Sequence, residues 1–543
     1  MDNSKELILA RIIEDWCKRD SERRVLTFID IAPEGHFIET SRTYRQLWHN
    51  GQRVAAALSG MGMKKGDRFA IMMQNHAEFV DAMVGSCIAG TIFVPIDPRT
   101  RGRKLSYMLD FAECSGILVA DYALEHLYEI IDDLTQLQWI WVMRVDKCPP
   151  SKSGLKQDVH DFGGLLNLQV QEQAICSDDP AEPMQMLYTS GTTGDPKAIL
   201  APHARFGSIA SLGPAIGLRP DDRPYSGLSL THANAQLITL GNVLKMGLEG
   251  TFSRKFTKSR LWDITRKYHC TTFNLLGGMT TAIYSEPEKP DDADNPVRYV
   301  LSAGMPAAIW EKFARRFDLD IFEFYATAEG GLSMNPPGTG PIGSIGKPPP
   351  SMVARVFDEH DNECPPDVRG ELVFRNADGS CDPVRYYKNA LASEKKTRGG
   401  WFRSGDIGHA DAAGWLYFDY RDGDAIRCNG EFINPAYIEK EMAEHPDVDD
   451  VFVYGRDAAN GVPGECDVVA AVVLSEGSQT TPQQLFEWAK CHLERNSIPR
   501  FIQILDEIPK TASEKPIKRV CRKYFQDKPE TVFSRHTSDK ENS

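Results

Sequence analysis

A chain of 543 residues, 41% hydrophobic and 25% charged, has enough length to bury several cores without disulfide or metal staples. Its formal net charge of -14 excludes the concentrated basic face of a nucleic-acid binder. Its 12 cysteines make no CxxC pair or Cys/His cluster, which points to reduced thiols and no structural zinc.

The N-terminus, MDNSKELILARIIEDW, reads as a polar start on an amphipathic helix, without the apolar core and cleavage site of a signal peptide. Residues 44–60 place Tyr44, Leu47, Val54, Ala57 and Leu58 at helical spacing. Next come strand 68–73, helix 77–89, and strands 92–96, 116–120 and 139–145. The alternation predicts an α/β fold of layered, largely parallel sheets, in which ligands sit at the carboxyl ends of strands. Residues 146–161 and the Pro/Gly-rich 335–350 read as irregular connectors.

After the strand 414–420, the pattern becomes compact: helix 435–443, strands 451–454 and 468–474, helix 483–493 and strand 501–504. This predicts a small independent α+β domain. Residues 526–543 are polar and unpatterned and read as a disordered tail. The longest apolar runs are strand-length, short of the ~20 residues of a membrane span, so a cytoplasmic protein is expected.

The most informative segment is Leu187-Tyr188-Thr189-Ser190-Gly191-Thr192-Thr193-Gly194-Asp195-Pro196-Lys197. Glycines let backbone N–H groups approach phosphate oxygens, the hydroxyls add donors, and Lys197 adds a cation. It is not the GxxxxGK[ST] loop of common NTPases. The string resembles the signature loop of the adenylate-forming superfamily, which holds acyl-CoA synthetases, peptide-synthetase adenylation domains and firefly-type luciferases. The family usually has glycine where Ala198 stands. The resemblance runs from Thr43 to Lys523. It is closest to AMP-forming acyl-CoA ligases of the crotonobetaine/carnitine-CoA ligase-like and fatty-acid-CoA-ligase-like type.

The resemblance implies further stations in family order. Tyr325-Ala326-Thr327-Ala328-Glu329 is similar to the Tyr-Gly-x-Thr-Glu motif, in which Tyr325 would stack on adenine and Glu329 would hold magnesium together with Thr192. A carboxylate suits that hard cation. Ala328 replaces a threonine that bonds the α-phosphate, and whether Thr327 substitutes for it stays open. Ser302-Ala303-Gly304-Met305-Pro306 resembles the segment lining the adenine and acyl pockets. Gly400-Trp401-Phe402-Arg403-Ser404-Gly405-Asp406 resembles the strand whose aspartate, here Asp406, accepts bonds from both ribose hydroxyls. Arg421 matches the arginine that also contacts nucleotide. Taken singly, such an Asp or Arg is a turn residue or a solvated charge; in order and spacing they form a site.

Pro509-Lys510-Thr511-Ala512-Ser513-Glu514-Lys515 resembles the Pro-Lys-Thr-x-x-Gly-Lys motif, with Glu514 in place of glycine. Lys515 would stabilise charge developing on the α-phosphate. The family rotates its small domain between half-reactions, about a hinge that falls on Gly423. The loop Arg427-Cys428-Asn429-Gly430-Glu431 would then bind coenzyme A, with Arg427 in place of lysine. His232, in Leu230-Thr231-His232-Ala233-Asn234, would gate or line the acyl site. Asn234, Gly277, Gly278, Gly304, Met305 and Gly330 would complete it.

The expected division is 1–421 for binding ATP and acid, 422–525 as the mobile catalytic domain, and 526–543 as tail. The implied activity converts a carboxylic acid to an acyl-adenylate with ATP and Mg2+, then to a thioester with coenzyme A. Thr192, His232, Glu329 and Lys515 would be catalytic. A stand-alone enzyme loading a carrier protein, or a non-catalytic nucleotide-binding relative, stays open, as does a homodimer.

Overall fold

The computed structural model describes residues 3–145, 152–189, 196–421, 426–428, 431–433, 435–458, 466–493, 497–511 and 514–535. Two compact units result: Met1–Asn274 with Pro383–Glu394, and Leu275–Asp382 with Lys395–Ser543. The expected cut at 421/422 is a different one, although the residues from Ile426 onward do build a sheet and core of their own.

In the first unit a seven-stranded sheet runs in the order Asp158–Asp161, Trp139–Met143, Cys114–Ala120, Arg68–Met72, Ile92–Ile96, Pro183–Thr189, Lys197–Pro202. Every pair is parallel except the last. Strands buried on both faces read as continuous apolar runs: Ile92–Ile96 and Trp139–Met143 are buried at every position. The ring of Trp139 lies over Gly116, where an added Cβ would come within 1.9 Å of it.

Two of this unit's helices pack against each other. Tyr44–Gly60 starts on a capping box, in which the Thr43 hydroxyl takes the Gln46 N–H and the Gln46 side chain takes the Thr43 N–H. Ala77–Ala89 is buried nearly all round and stops at Gly90, which has φ +74°. The two approach closely where Gly85 faces Val54 and Gly51 faces Val84. A further group of strands runs from Phe37–Thr43 through Arg24–Ile31 and Gly250–Ser253 to Pro224–Ser226. There Tyr225 pairs with Phe273.

In the second unit Tyr299–Ala303 pairs in parallel with Asp320–Ala326, which pairs antiparallel with Leu332–Asn335. An antiparallel four-stranded sheet follows: Met352–Phe357, Gly370–Asn376, Phe402–Ala410, Leu416–Arg421. The C-terminal sheet runs Val448–Asp457, Cys466–Leu474, Phe501–Ile504, Val532–Ser534. Helices Pro435–Ala443 and Pro482–His492 pack on it around Ile438, Val453, Ala470, Leu485 and Phe486.

Two expectations need correction. Asp158–Asp161, read as connector, is a strand beside Trp139–Met143, and all four of its side chains are exposed. The tail expected from residue 526 is ordered through Arg535: helix Lys518–Asp527 leads to the strand Val532–Ser534, paired with Phe501–Ile504. Both are edge strands held by backbone hydrogen bonds, so neither needs an apolar pattern.

Candidate nucleotide-binding site

Strand Pro183–Thr189 delivers the chain to the predicted phosphate loop. Ser190, Gly191, Thr192, Thr193 and Gly194 lie outside the described residues. The mouth of the loop is described: Thr189 pairs with Lys197, and the Thr189 hydroxyl donates to the Lys197 carbonyl at 3.3 Å. The Lys197 ammonium stands 5.4 Å from the centre of the Tyr386 ring. Tyr386 comes from the short returning segment of the first unit, where the Leu200 N–H donates to the Arg385 carbonyl and the Tyr387 N–H to the Ala198 carbonyl. That partner was missed from sequence, where the pair Tyr386-Tyr387 in a polar stretch was the available signal.

His232 lies in the same unit. Its Nδ1 accepts the Asn234 N–H at 3.2 Å, and it precedes a π-helical stretch, Asn234–Leu240. Such π turns concentrate at functional positions. Buried Asn234 accepts from the Asn274 amide at 2.6 Å. Buried Asn75 ties the segment down, donating to the Leu228 and Ser253 carbonyls and accepting from the Leu230 N–H.

The second unit assembles three predicted stations around one buried carboxylate. Asp406, 1% exposed, pairs across the sheet with Arg421. Arg421 donates from Nε to Asp406 Oδ1 at 2.6 Å and from Nη2 to Oδ2 at 3.1 Å. The Tyr325 hydroxyl donates to the same Oδ2 at 2.6 Å. A carboxylate offers about four acceptor positions, so three are filled by protein. Burial and the adjacent Asp406 push the Tyr325 phenol well above its ordinary range, while the bond to Asp406 raises Arg421 further. Tyr325 stacks on Phe374, with centroids 5.8 Å apart and planes 15° apart. Phe374 was not singled out from sequence.

The loop after Tyr325 is closed by Thr327. Its hydroxyl donates to the Gly330 carbonyl at 2.9 Å and accepts the Gly330 N–H at 3.2 Å. The donor is thus spent inside the loop, which argues against Thr327 replacing the threonine missing at Ala328. Half-buried Glu329 lies at the loop tip. A single carboxylate there fits a hard divalent cation that takes its remaining ligands from nucleotide oxygens.

Ala303 ends the strand Tyr299–Ala303, Gly304 and Met305 follow it, and Gly304 has φ +104°. Their loop is held by Glu323, another residue not predicted: its carboxyl accepts the Gly304 N–H at 2.5 Å and the Met305 N–H at 3.2 Å. Full burial raises Glu323 to about 8. Gly330 faces the Phe402 ring, where a Cβ would sit at 3.4 Å. Gly277 and Gly278 open the helix Gly277–Tyr284.

Lys515 is exposed on a tight loop, in which the Thr511 N–H donates to the Lys515 carbonyl at 2.7 Å. Glu514, standing where the family has glycine, has φ +58°. The backbones of Arg427 and Glu431 lie in the hairpin Ile426–Cys428/Glu431–Ile433. Gly423, Asn429 and Gly430 lie outside the described residues.

A family model described as AMP-binding enzyme matches residues 13–379, and one described as AMP-binding enzyme C-terminal domain matches 437–515. The medium/long-chain-fatty-acid–CoA ligase FadD17 of Mycobacterium marinum is 29% identical over 500 residues, covering 90% of this chain and 93% of that protein. Crotonobetaine/carnitine–CoA ligase of Salmonella paratyphi B is 26% identical over 88% of this chain and 92% of its own length. Among solved structures, the anthranilate CoA ligase AuaEII in complex with anthranoyl-AMP superposes with a TM-score of 0.81 at 22% identity, covering 96% of this chain and 98% of that one. No helix among the described residues is long and apolar enough to cross a membrane. With most of its length matched, the chain belongs to the AMP-binding enzyme family.

Proposed function

We propose that this enzyme is an AMP-forming acyl-CoA ligase acting on a medium- or long-chain fatty acid in the cytoplasm. The observation that carries the reading is similarity along nearly the whole length to FadD17, through both family segments. The substrate carboxylate attacks the α-phosphorus of ATP. The bond to the bridging oxygen breaks, and pyrophosphate leaves with the electron pair. The thiol of coenzyme A then loses its proton and attacks the acyl carbonyl, and AMP departs as the thioester forms.

Tyr325 supplies a flat surface for adenine, and Asp406 with Arg421 the polar contact for ribose. Lys515 offsets charge on the α-phosphate, and Glu329 with Thr192 would hold the Mg2+ that neutralises the polyphosphate. Residues 427–431 receive coenzyme A after rotation about Gly423, and His232 with Asn234 borders the acyl chain. The Asn234–Asn274 bond gives that border a polar element, so test acids should include polar-tailed ones.

Pyrophosphate release, measured over acids from acetate to palmitate plus aryl and carnitine-type acids, tests the first step. Adding coenzyme A or a phosphopantetheinylated carrier protein tests the second. The expected result is release with fatty acids and thioester only with coenzyme A. Transfer to the carrier alone would replace the ligase reading, and no release with any acid would refute it. Light scattering separates a homodimer from a monomer.

A further inference from the structure

Asp406 owes its aim to an interruption of the sheet. Strand Gly370–Asn376 pairs Glu371 with Ile407 and Val373 with Arg403. Opposite the single residue Leu372, the other strand therefore spends three residues: Ser404, Gly405 and Asp406. Bulges of this kind re-aim side chains and leave backbone groups outside the ladder.

The freed groups are collected by two charged side chains. The Glu371 carboxylate accepts the Gly405 N–H at 2.9 Å and the Arg403 Nε–H at 2.8 Å. The Lys396 ammonium donates to the Arg403 and Ser404 carbonyls, both at 2.9 Å. Ser404 adds an internal brace, donating to the Leu372 carbonyl at 2.6 Å and accepting the Asp406 N–H at 3.0 Å. Gly405 has φ +74°, and a Cβ there would stand 3.8 Å from the Lys396 ammonium.

Lys396 is more than a scaffold cation. Burial lowers its proton affinity, and of the charges acting on it Glu329 opposes that most strongly, with Arg421 and Asp406 also felt. Its charge therefore bears on both carboxylates assigned to nucleotide and metal. A lysine among Glu394, Lys395 and Lys396 reads from sequence as a solvated run, so nothing in the motif order marks it.

We propose that Lys396 is a positioning residue of the nucleotide site, its ammonium stapling the Ser404–Asp406 bulge so that Asp406 points to ribose. This rests on the AMP-binding reading above. The bulge is held by bonds between protein groups, so the staple is testable without nucleotide.

In Lys396→Met, which loses both bonds to the bulge carbonyls, hydrogen exchange of the Gly405 and Asp406 amides should accelerate by about tenfold or more. Core amides such as Val469 should be unchanged. Adenosine, which carries neither phosphate nor metal, should bind about tenfold more weakly, and KM for ATP should rise while KM for the acid stays. Lys395→Met, at the exposed neighbour, should change none of these; Lys396→Gln replaces Lys396→Met if the latter does not fold. Unchanged exchange at Gly405 and Asp406, or exchange rising equally across residues 370–421, overturns the proposal. A wild-type chain that neither binds adenosine nor releases pyrophosphate sinks the ligase reading, while the exchange measurement still judges Lys396.

Discussion

Replacing Tyr325 with phenylalanine should weaken the protein and strengthen its hold on ribose. The lost bond is short, 2.6 Å, and joins a phenol to a buried carboxylate. Bonds to charged acceptors contribute about 1.5–3 kcal/mol. The bidentate Arg421 contact remains, so the lower half of that range, about 1.5–2 kcal/mol, is expected. For a domain of roughly 150–250 residues this lowers the melting midpoint by about 3–8 °C. The ring itself still stacks on Phe374, so the adenine surface is kept. Three of about four acceptor positions on Asp406 are filled by protein donors, which leaves one for two ribose hydroxyls. Phenylalanine frees a second. Calorimetric titration should then show adenosine binding more tightly to Tyr325→Phe than to wild type, and 2′-deoxyadenosine, with one hydroxyl fewer, binding nearly equally to both. If both ligands bind at least tenfold more weakly to the variant, the Tyr325 hydroxyl serves the nucleotide instead of competing with it, and this reasoning is refuted.

Glu323 is raised from 4.5 to about 8 by burial, so the folded state keeps a proton that the unfolded chain releases; the stability this contributes is full below pH 4.5 and lost as pH rises toward 8, at up to ~1.4 kcal/mol per unit. Glu323→Gln has no proton to lose, so its melting midpoint, compared with wild type from pH 5 to 8, should rise relative to it at the alkaline end. Gly116→Ala would place a methyl 1.9 Å from the Trp139 ring, and thermal scans should show a loss of about 1–3 kcal/mol or more from overpacking. Ala328→Thr restores a hydroxyl that Thr327 does not spare, so pyrophosphate release should rise about two- to tenfold, the range of one neutral hydrogen bond; an unchanged or lower rate would mean the contact is already made by other means.

The layered core was legible because its strands carry their own signal. Helix Ala77–Ala89, strand Ile92–Ile96 and helix Pro435–Ala443 fall where apolar runs and spacing put them. The elements missed, Asp158–Asp161 and Val532–Ser534, are edge strands joined to their sheets by backbone pairing. In the candidate site, Tyr325, Asp406 and Arg421 were readable as motif residues, and they meet through one carboxylate. Glu323, Phe374 and Tyr386 were not, because each acts on a partner well removed in sequence, and Lys396 was not, because its nearby partners are backbone carbonyls that no side-chain pattern marks. The Lys197 ring contact, for example, depends on a segment that begins near residue 383 and returns to pair with Ala198.

The same logic bears on the departures from family pattern. Glycine enters the left-handed region freely, whereas a non-glycine residue there is disfavoured by roughly 1–2 kcal/mol. Glu514 nevertheless adopts φ +58°. Such a conformation persists only where its surroundings over-determine it, and here they do. The Glu514 N–H donates to the Thr511 carbonyl at 3.0 Å, the Thr511 N–H to the Lys515 carbonyl at 2.7 Å, and the Ile517 N–H to the Pro509 carbonyl at 2.7 Å. The Lys515 N–H in turn donates to the Thr511 hydroxyl at 3.2 Å. Four bonds therefore hold the left-handed backbone at Glu514 in the absence of a glycine. A chain that had abandoned the chemistry would have no need to hold that strain, so the Glu514 departure weighs less against catalysis than its sequence suggests. Ala328 weighs more, because no hydroxyl of its own loop is left over to replace the one it lacks.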